Sequence, residues 1–332
     1  MSGGVDSSAA ALILKNQGYD VTGATMLLSG NENDARDSAE VCRTIGIPHV
    51  VLDMRERFVD EVERPFCDSY IAGETPNPCI ICNKRIKFGA FLDYAKENGF
   101  DLIATGHYVK KDTLDTVPVI RCASDKKKDQ SYMLWQLSRQ QIERSVFPLA
   151  ELTKDEIRAI CSDAGLSVAS RKDSQDICFV PDGDYASFIT KLTNYTSVEG
   201  NYIDESGKVL GTHKGNIHYT VGQRKGLGIA LGEPAYVLGK SVNDNTVTLG
   251  KNESLFKKTL TAHSANISEI ASLPGRFDVK IRYAHTAAPA TVRSLGNGRI
   301  EIEFDESQRA PARGQSAVIY LGDVLVGGAF IE

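Results

Sequence analysis

The first half of the chain alternates two hydrophobic rhythms. Ser7 to Gln17 reads as a helix, and Gly18 stops it. Val21 to Leu27 reads as a strand, Asp34 to Ile45 as a helix stopped by Gly46, and His49 to Leu52 as a short strand. A helix is expected from Asn83 to Asn98, ending at Gly99, and a strand from Leu102 to Thr105. Thr153-Lys154-Asp155-Glu156 is a capping box whose helix should run to Ala164, with Gly165 behind it. Strand and helix in alternation predict an α/β domain: a parallel sheet covered on both faces.

Near Asp184 the pattern changes. After one more helix, Tyr185 to Leu192, short β-type runs are separated by turns at Asp204-Glu205-Ser206-Gly207 and Asn243-Asp244-Asn245. Asn297-Gly298 suits a type I′ hairpin, and Arg299 to Phe304 alternates apolar and charged residues as a half-buried strand should. The reading is one α/β domain over residues 1–190 and two small, mainly β modules over 191–250 and 251–332.

Composition narrows the classes. The chain has 332 residues, 42% hydrophobic and 24% charged, enough to bury a core in two or three domains. The longest all-apolar stretch, Ala9 to Leu14, is far below the roughly 18 residues of a membrane span. No basic-then-apolar leader is visible. Seven cysteines without such a leader suit a reducing, cytoplasmic compartment rather than a disulfide framework. The net charge of −5 does not advertise nucleic-acid binding, but it is uneven. Met1 to Asp60 holds five basic against nine acidic residues, and Cys79 to Gln130 holds ten against seven. A basic face is compatible with that spread, and so is an ordinary solvated surface.

Three segments carry candidate chemistry. In Met1-Ser2-Gly3-Gly4-Val5-Asp6-Ser7-Ser8, two glycines let backbone amides approach an anion, and the serines open a helix whose positive end favours phosphate. Asp6 would sit among the phosphates, where it could help hold a metal ion. The plain alternative is a capped helix start. The Gly-Lys-Ser/Thr ending of a Walker loop is missing. In Thr75-Pro76-Asn77-Pro78-Cys79-Ile80-Ile81-Cys82-Asn83-Lys84, two prolines stiffen the loop. Cys82 is expected just before a helix N-terminus, where a thiolate is favoured. Cys79 and Cys82 form a C-x-x-C, but no second pair follows at zinc spacing, so no protein-held metal site is expected. In Arg171-Lys172-Asp173-Ser174-Gln175-Asp176-Ile177-Cys178-Phe179-Val180, the thiol of Cys178 lies between apolar neighbours, as a core cysteine would. The polar run before it suggests instead a loop entering a site.

The first segment resembles the pyrophosphatase loop of the ATP-dependent adenylating enzymes, which share a Rossmann-like fold and split ATP between its α and β phosphates. With the two cysteine segments, the chain closely resembles the tRNA-specific 2-thiouridylases, which thiolate the wobble uridine of certain tRNAs. The likeness continues through Ala104-Thr105-Gly106-His107-Tyr108, Lys128-Asp129-Gln130-Ser131-Tyr132 and Tyr219 to Gly228, and ends with Ile281-Arg282-Tyr283 and Arg313-Gly314-Gln315. It implies that Met1, Ser2, Gly3, Gly4, Val5, Asp6 and Ser7, with Met26 and Gly106, bind ATP, with Mg²⁺ neutralising phosphate charge. Cys178 would carry a persulfide sulfur delivered by a partner protein of a sulfur relay. Cys82 would be the second catalytic cysteine, able to form a disulfide with Cys178. Asn77, Pro78 and Cys79 would surround the target uracil. Lys128, Asp129, Gln130, Arg282 and Tyr283 would touch tRNA, and His107 and Gln315 would help recognise it. The resemblance also implies that the last module is a β-barrel.

Two departures stand out. Some relatives carry Asp where this chain has Cys79, which puts an acid/base role there in doubt. Relatives also carry an apolar strand before the phosphate loop, whereas this chain begins at the loop. The expectation is therefore that a central strand is missing and that Met1 is internal to a longer protein. Two other functions compete with the thiolating enzyme. One is another adenylating ligase or amidotransferase, which has no use for Cys82 and Cys178 together. The other is a tRNA-binding but catalytically impaired homologue.

Overall fold

The computed structural model describes residues 1–29, 33–171 and 177–332. The chain divides into two compact units, each interrupted in sequence. One comprises Met1–Val62, Cys79–Gln175 and Asp323–Val326, and the other Glu63–Pro78, Asp176–Gly322 and Gly327–Glu332.

The first unit is α/β. Helix α1 (Val5–Asn16) begins directly after Gly4. Its small residues Ala9, Ala10 and Ala11 are buried in one cluster with Val41 and Ile45 of α2 (Asn33–Ile45). Strand β1 (Gly23–Leu27) pairs in parallel with β2 (His49–Asp53), Gly23 opposite His49. A Cβ on Gly23 would lie 2.4 Å from the Cys42 sulfur, so only glycine lets α2 pack this closely on the strand. A short helix, α3 (Arg55–Phe58), follows β2, and α4 (Arg64–Ile71) belongs to the second unit. Helix α5 (Pro78–Cys82) runs into a π-helical stretch, Asn83–Ala90, and on into α6 (Phe91–Glu97). The expected helix at Asn83 therefore starts five residues earlier. Pro78 occupies the first helical position, where its missing N–H costs nothing.

Strand β3 (Ile103–Ala104) pairs in parallel with β6 (Ser145–Val146). Among the described residues, the parallel strands thus form two separate pairs. Between them lies an antiparallel hairpin, β4 (Val109–Leu114) and β5 (Val117–Cys122). Helix α7 (Arg139–Glu143) precedes β6, and α8 (Lys154–Asp163) packs on α1. The predicted capping box is present. The Glu156 amide donates to Thr153 Oγ1, and the Thr153 amide donates to Glu156 Oε2.

In the second unit, α4 and α9 (Tyr185–Thr193) enclose an aromatic core of Phe66, Tyr70, Phe179 and Phe188. Strands β7 (Gly200–Ile203), β8 (Val209–His213), β9 (Tyr236–Ser241) and β10 (Thr246–Gly250) form one sheet in the order β8-β7-β10-β9. The last six strands are β11 (Phe256–Ile267), β12 (Gly275–Lys280), β13 (Ala288–Gly296), β14 (Arg299–Arg309), β15 (Ser316–Leu321) and β16 (Val324–Ile331). They are neighbours in the order β11-β14-β13-β12-β15-β16, and β16 pairs back onto β11, closing a barrel. At the β13–β14 turn, Asn297 and Gly298 have φ of +51° and +69°, as the predicted type I′ turn requires.

Candidate functional site

The phosphate-loop candidate is a tight structure. Gly3 takes a left-handed φ of +63°, and Gly4 is the extended residue before α1. The Ser2 amide donates to Ser7 Oγ at 3.2 Å, and Ser8 Oγ donates to the Gly4 carbonyl at 2.9 Å, closing the loop on itself. Gly106, just past β3, presses against it. A Cβ there would lie 2.9 Å from the Asp6 carbonyl carbon and 3.1 Å from the Ser7 nitrogen. Met26, on β1, is half-buried opposite Leu52.

Asp6 is held by residues far along the chain. Its Oδ1 accepts from the Tyr108 hydroxyl and from Lys154 Nζ, each at 2.7 Å. Arg171 bonds the Gly3 carbonyl at 2.8 Å and pairs with Asp37 and Asp34. The sequence motif alone does not point to Tyr108, Lys154 or Arg171 as supports of the loop.

The cysteines fall into distinct settings. Cys82 is buried at 6% exposure, one turn inside the helix and not at its start. The helix N-terminal argument for a favoured thiolate therefore applies to Cys79, in the first turn, and not to Cys82. Cys79 keeps an exposed surface, but the protein crowded around it pushes its thiol up, with Lys87 pulling partly back. Beside Cys82, Asn83 is buried and its side-chain amide donates to the Met133 carbonyl at 3.1 Å.

Cys178 belongs to the second unit. Ile177 and Phe179 pack into the α4–α9 core, the Phe179 ring 5.3 Å from Phe66 and 5.1 Å from Phe188, while Cys178 itself is exposed. Its apolar neighbours are thus anchors rather than a sign of a core thiol. The polar run Lys172 to Asp176 lies outside the described residues. Burial pushes up the thiols of Cys42, Cys122 and Cys161, and that of Cys67 to about 12. These four have the character of structural cysteines.

The residues expected at tRNA have varied surroundings. Asp129 is buried and organises a turn, accepting from the Ala123 amide at 2.9 Å and the Ser131 hydroxyl at 2.7 Å. Gln130 accepts from the Tyr108 amide through Oε1 at 3.0 Å, and its own amide donates to the Tyr108 carbonyl. Lys128 is half-buried in the same turn. His107 is buried, with Nδ1 2.8 Å from Thr105 Oγ1 and its ring near Phe88. Burial, aided by Lys87, pushes its pKa far down, so the ring is neutral near pH 7.

In the second unit, Arg282 donates to the carbonyls of Val221 and Ala310, and Tyr283 is exposed under Lys280. Gln315 Nε2 donates to the Thr75 carbonyl at 2.6 Å, and the Thr75 amide donates to the Arg313 carbonyl at 2.8 Å. Gly314 has a φ of +83°, and a Cβ there would meet Glu74 at 2.9 Å. The segment leading to Asn77 and Pro78 is thus fastened to a loop of the barrel.

Residues 1–182 match the family described as tRNA methyl transferase HUP domain. Residues 186–251 match its PRC-barrel domain, and residues 257–331 the aminomethyltransferase beta-barrel domain. The whole chain is 45% identical over 348 residues to a tRNA-specific 2-thiouridylase MnmA of Clostridioides difficile, covering 96% of that protein. It is 47% identical over 352 residues to the protein of that name from Treponema denticola, covering 100% of this chain and 96% of the relative. The chain belongs to the tRNA-specific 2-thiouridylase family. The 2-thiouridylase fold expected from the sequence is the one observed. A Rossmann-like HUP domain with parallel strands comes first, then a β-rich domain, then a closed barrel. No helix among the described residues is long and apolar enough to cross a membrane.

Proposed function

We propose that the protein uses ATP to replace the C2 oxygen of the wobble uridine of tRNA with sulfur. The reading rests on one combination: a glycine loop opening α1, together with an exposed Cys178 held between two anchored neighbours. The uracil C2 carbonyl has no leaving group, and adenylation of its oxygen makes AMP one. Pyrophosphate departs in that first step. Backbone amides of Ser2 to Ser7 and the N-terminus of α1 receive the phosphates, with Gly106 backing the loop and Met26 beside it. Asp6 is the loop's carboxylate, and its bonds from Tyr108 and Lys154 both fall on Oδ1. That suits Mg²⁺, which takes one or two carboxylates along with substrate phosphates. When bound, the ion neutralises phosphate charge.

Sulfur arrives as a persulfide on Cys178, placed there by a relay protein. Its terminal sulfur attacks C2 and AMP leaves. The Cys82 thiolate then attacks the Cys178 sulfur, forming a Cys82–Cys178 disulfide and freeing the thiouridine. A dithiol reductant restores both thiols. The target base leaves its stack and meets Asn77, Pro78 and Cys79. With its thiol pushed up, Cys79 is a poor substitute for a carboxylate as acid/base at neutral pH. Arg282, Tyr283 and Lys128 serve tRNA contact. Asp129, Gln130, His107 and Gln315 serve it by holding the shape of the surfaces that carry those contacts. The division into domains 1–190, 191–250 and 251–332, and a cytoplasmic location, complete the proposal. Full-length identity to thiouridylases favours this enzyme over an impaired tRNA-binding homologue.

Mass spectrometry of tRNA from cysteine variants tests the reading. Cys82→Ser and Cys178→Ser should abolish thiouridine. Cys42→Ser, Cys67→Ser, Cys122→Ser and Cys161→Ser should retain most of it. Full activity in Cys178→Ser would remove the persulfide step.

A further inference from the structure

The phosphate loop presents an electrostatic problem. A triphosphate is strongly anionic, yet the loop contributes a carboxylate, Asp6, and the first basic residue in the sequence is Lys15. Lys15 lies at the far end of α1, where its ammonium bonds the carbonyls of Ile45 and Gly46. Among the described residues, Arg171 and Lys154, from elsewhere in the same unit, bring cations to the loop. Arg171 distributes its guanidinium over Asp34, Asp37 and the Gly3 carbonyl. Lys154 pairs with Asp6 at 2.7 Å, and its side chain is only 13% exposed.

Lys154 is also well placed to stay there. It is the first residue of α8, fixed by the Thr153–Glu156 capping box, and α8 packs on α1 through Cys161, whose sulfur lies 3.6 Å from the Val5 carbonyl. Tyr108 bonds the same Asp6 oxygen, and Gln130 holds the Tyr108 backbone. A partly desolvated ammonium beside the loop is a stronger phosphate partner than an exposed one. Its three donors also let one ammonium serve a carboxylate and a phosphate together.

We propose that Lys154 is a triphosphate-binding residue of this enzyme: it neutralises Asp6 in the empty loop and bonds the phosphates of ATP once they arrive. This rests on the reading of Ser2 to Ser7 as the ATP loop. It supplies, from a helix some 150 residues away, the cation that a Walker loop carries within its own motif.

The test is calorimetric titration of the full-length protein with ATP and, separately, with AMP. Lys154→Gln should weaken ATP by ~10–100-fold, the range of a lost charge-assisted hydrogen bond, and change AMP far less. Lys154→Arg should recover most of the loss. The double variant Asp6→Asn/Lys154→Gln, set beside Asp6→Asn alone, separates the roles and avoids leaving the half-buried Asp6 carboxylate without its cation. A phosphate ligand predicts that the double variant binds ATP ~10–100-fold more weakly than Asp6→Asn alone. A mere counter-ion to Asp6 predicts that these two variants bind ATP alike, which would overturn the proposal. Unchanged ATP affinity in Lys154→Gln would overturn it as well. Wild-type protein that binds no ATP would instead overturn the loop reading itself, and the Lys154 role with it.

Discussion

The phosphate loop and the turn from Asp125 to Ser131 meet on one residue, Tyr108, but they are held together differently. The loop's carboxylate is gripped from outside, by Tyr108 and Lys154, residues 102 and 148 positions away. The turn is gripped locally: Asp129 accepts from the Ala123 amide just before it and the Ser131 hydroxyl at its end, 6 and 2 positions away. A group whose charge is balanced by distant, partly buried partners can exchange them for a ligand. A carboxylate satisfied by neighbours in the sequence is part of the scaffold. Two similarly polar motifs in the sequence can therefore have different work in the fold.

The sharpest way to break this contrast is at Gly106. An added methyl meets Asp6 and Ser7 backbone atoms that cannot swing aside. Overpacking of this kind costs about 1–3 kcal/mol, so Gly106→Ala should weaken ATP by ~10–100-fold while the barrel half stays folded. Titration with ATP and circular dichroism would check it. Asp129→Ala comes next. It removes a charged acceptor from the buried Ala123 amide, at a cost of about 1–3 kcal/mol. The melting temperature should fall, while the salt slope of tRNA binding stays put, because the carboxylate neutralises no phosphate. A changed slope with an unchanged melting temperature would reverse the assignment. Gln130→Ala is the smallest and most discriminating. It removes one neutral hydrogen bond, about 0.5–1.5 kcal/mol, from the Tyr108 backbone. A few-fold loss of ATP affinity is expected, carried through the Tyr108 hydroxyl to Asp6. No loss would show that the two regions share a residue without sharing a function.

Much of the fold was legible where local chemistry decides structure. Thr153 and Glu156 form their capping box, Asn297-Gly298 makes its turn, and Gly165 ends α8 with a φ of +69°. What escaped was what tertiary packing decides. The β4–β5 hairpin turns at Asp115 and Thr116, both at positive φ and neither a glycine, on strands with charged outer faces. The helix carrying Cys79 and Cys82 starts at Pro78 because a proline read as a loop stiffener also fits a first helical turn. The widening to a π-helix over Asn83–Ala90 has no signature in residue spacing. At the site, the glycine loop and the two cysteine segments were visible as contiguous motifs. The Lys154–Asp6 pair was not, because a contact spanning 148 positions leaves no local pattern. For Cys178, apolar neighbours pointed toward a core thiol, whereas in the fold those neighbours, half-buried, pack against the α4–α9 core and the cysteine is exposed.

The central claim is that this chain couples ATP cleavage at the α phosphate to thiolation of tRNA. The most direct test follows α-labelled ATP with purified protein, unmodified tRNA and a persulfide donor, separating products by thin-layer chromatography. The account predicts labelled AMP, formed only with tRNA present and in step with thiouridine. Labelled ADP, or AMP released equally without tRNA, would contradict it.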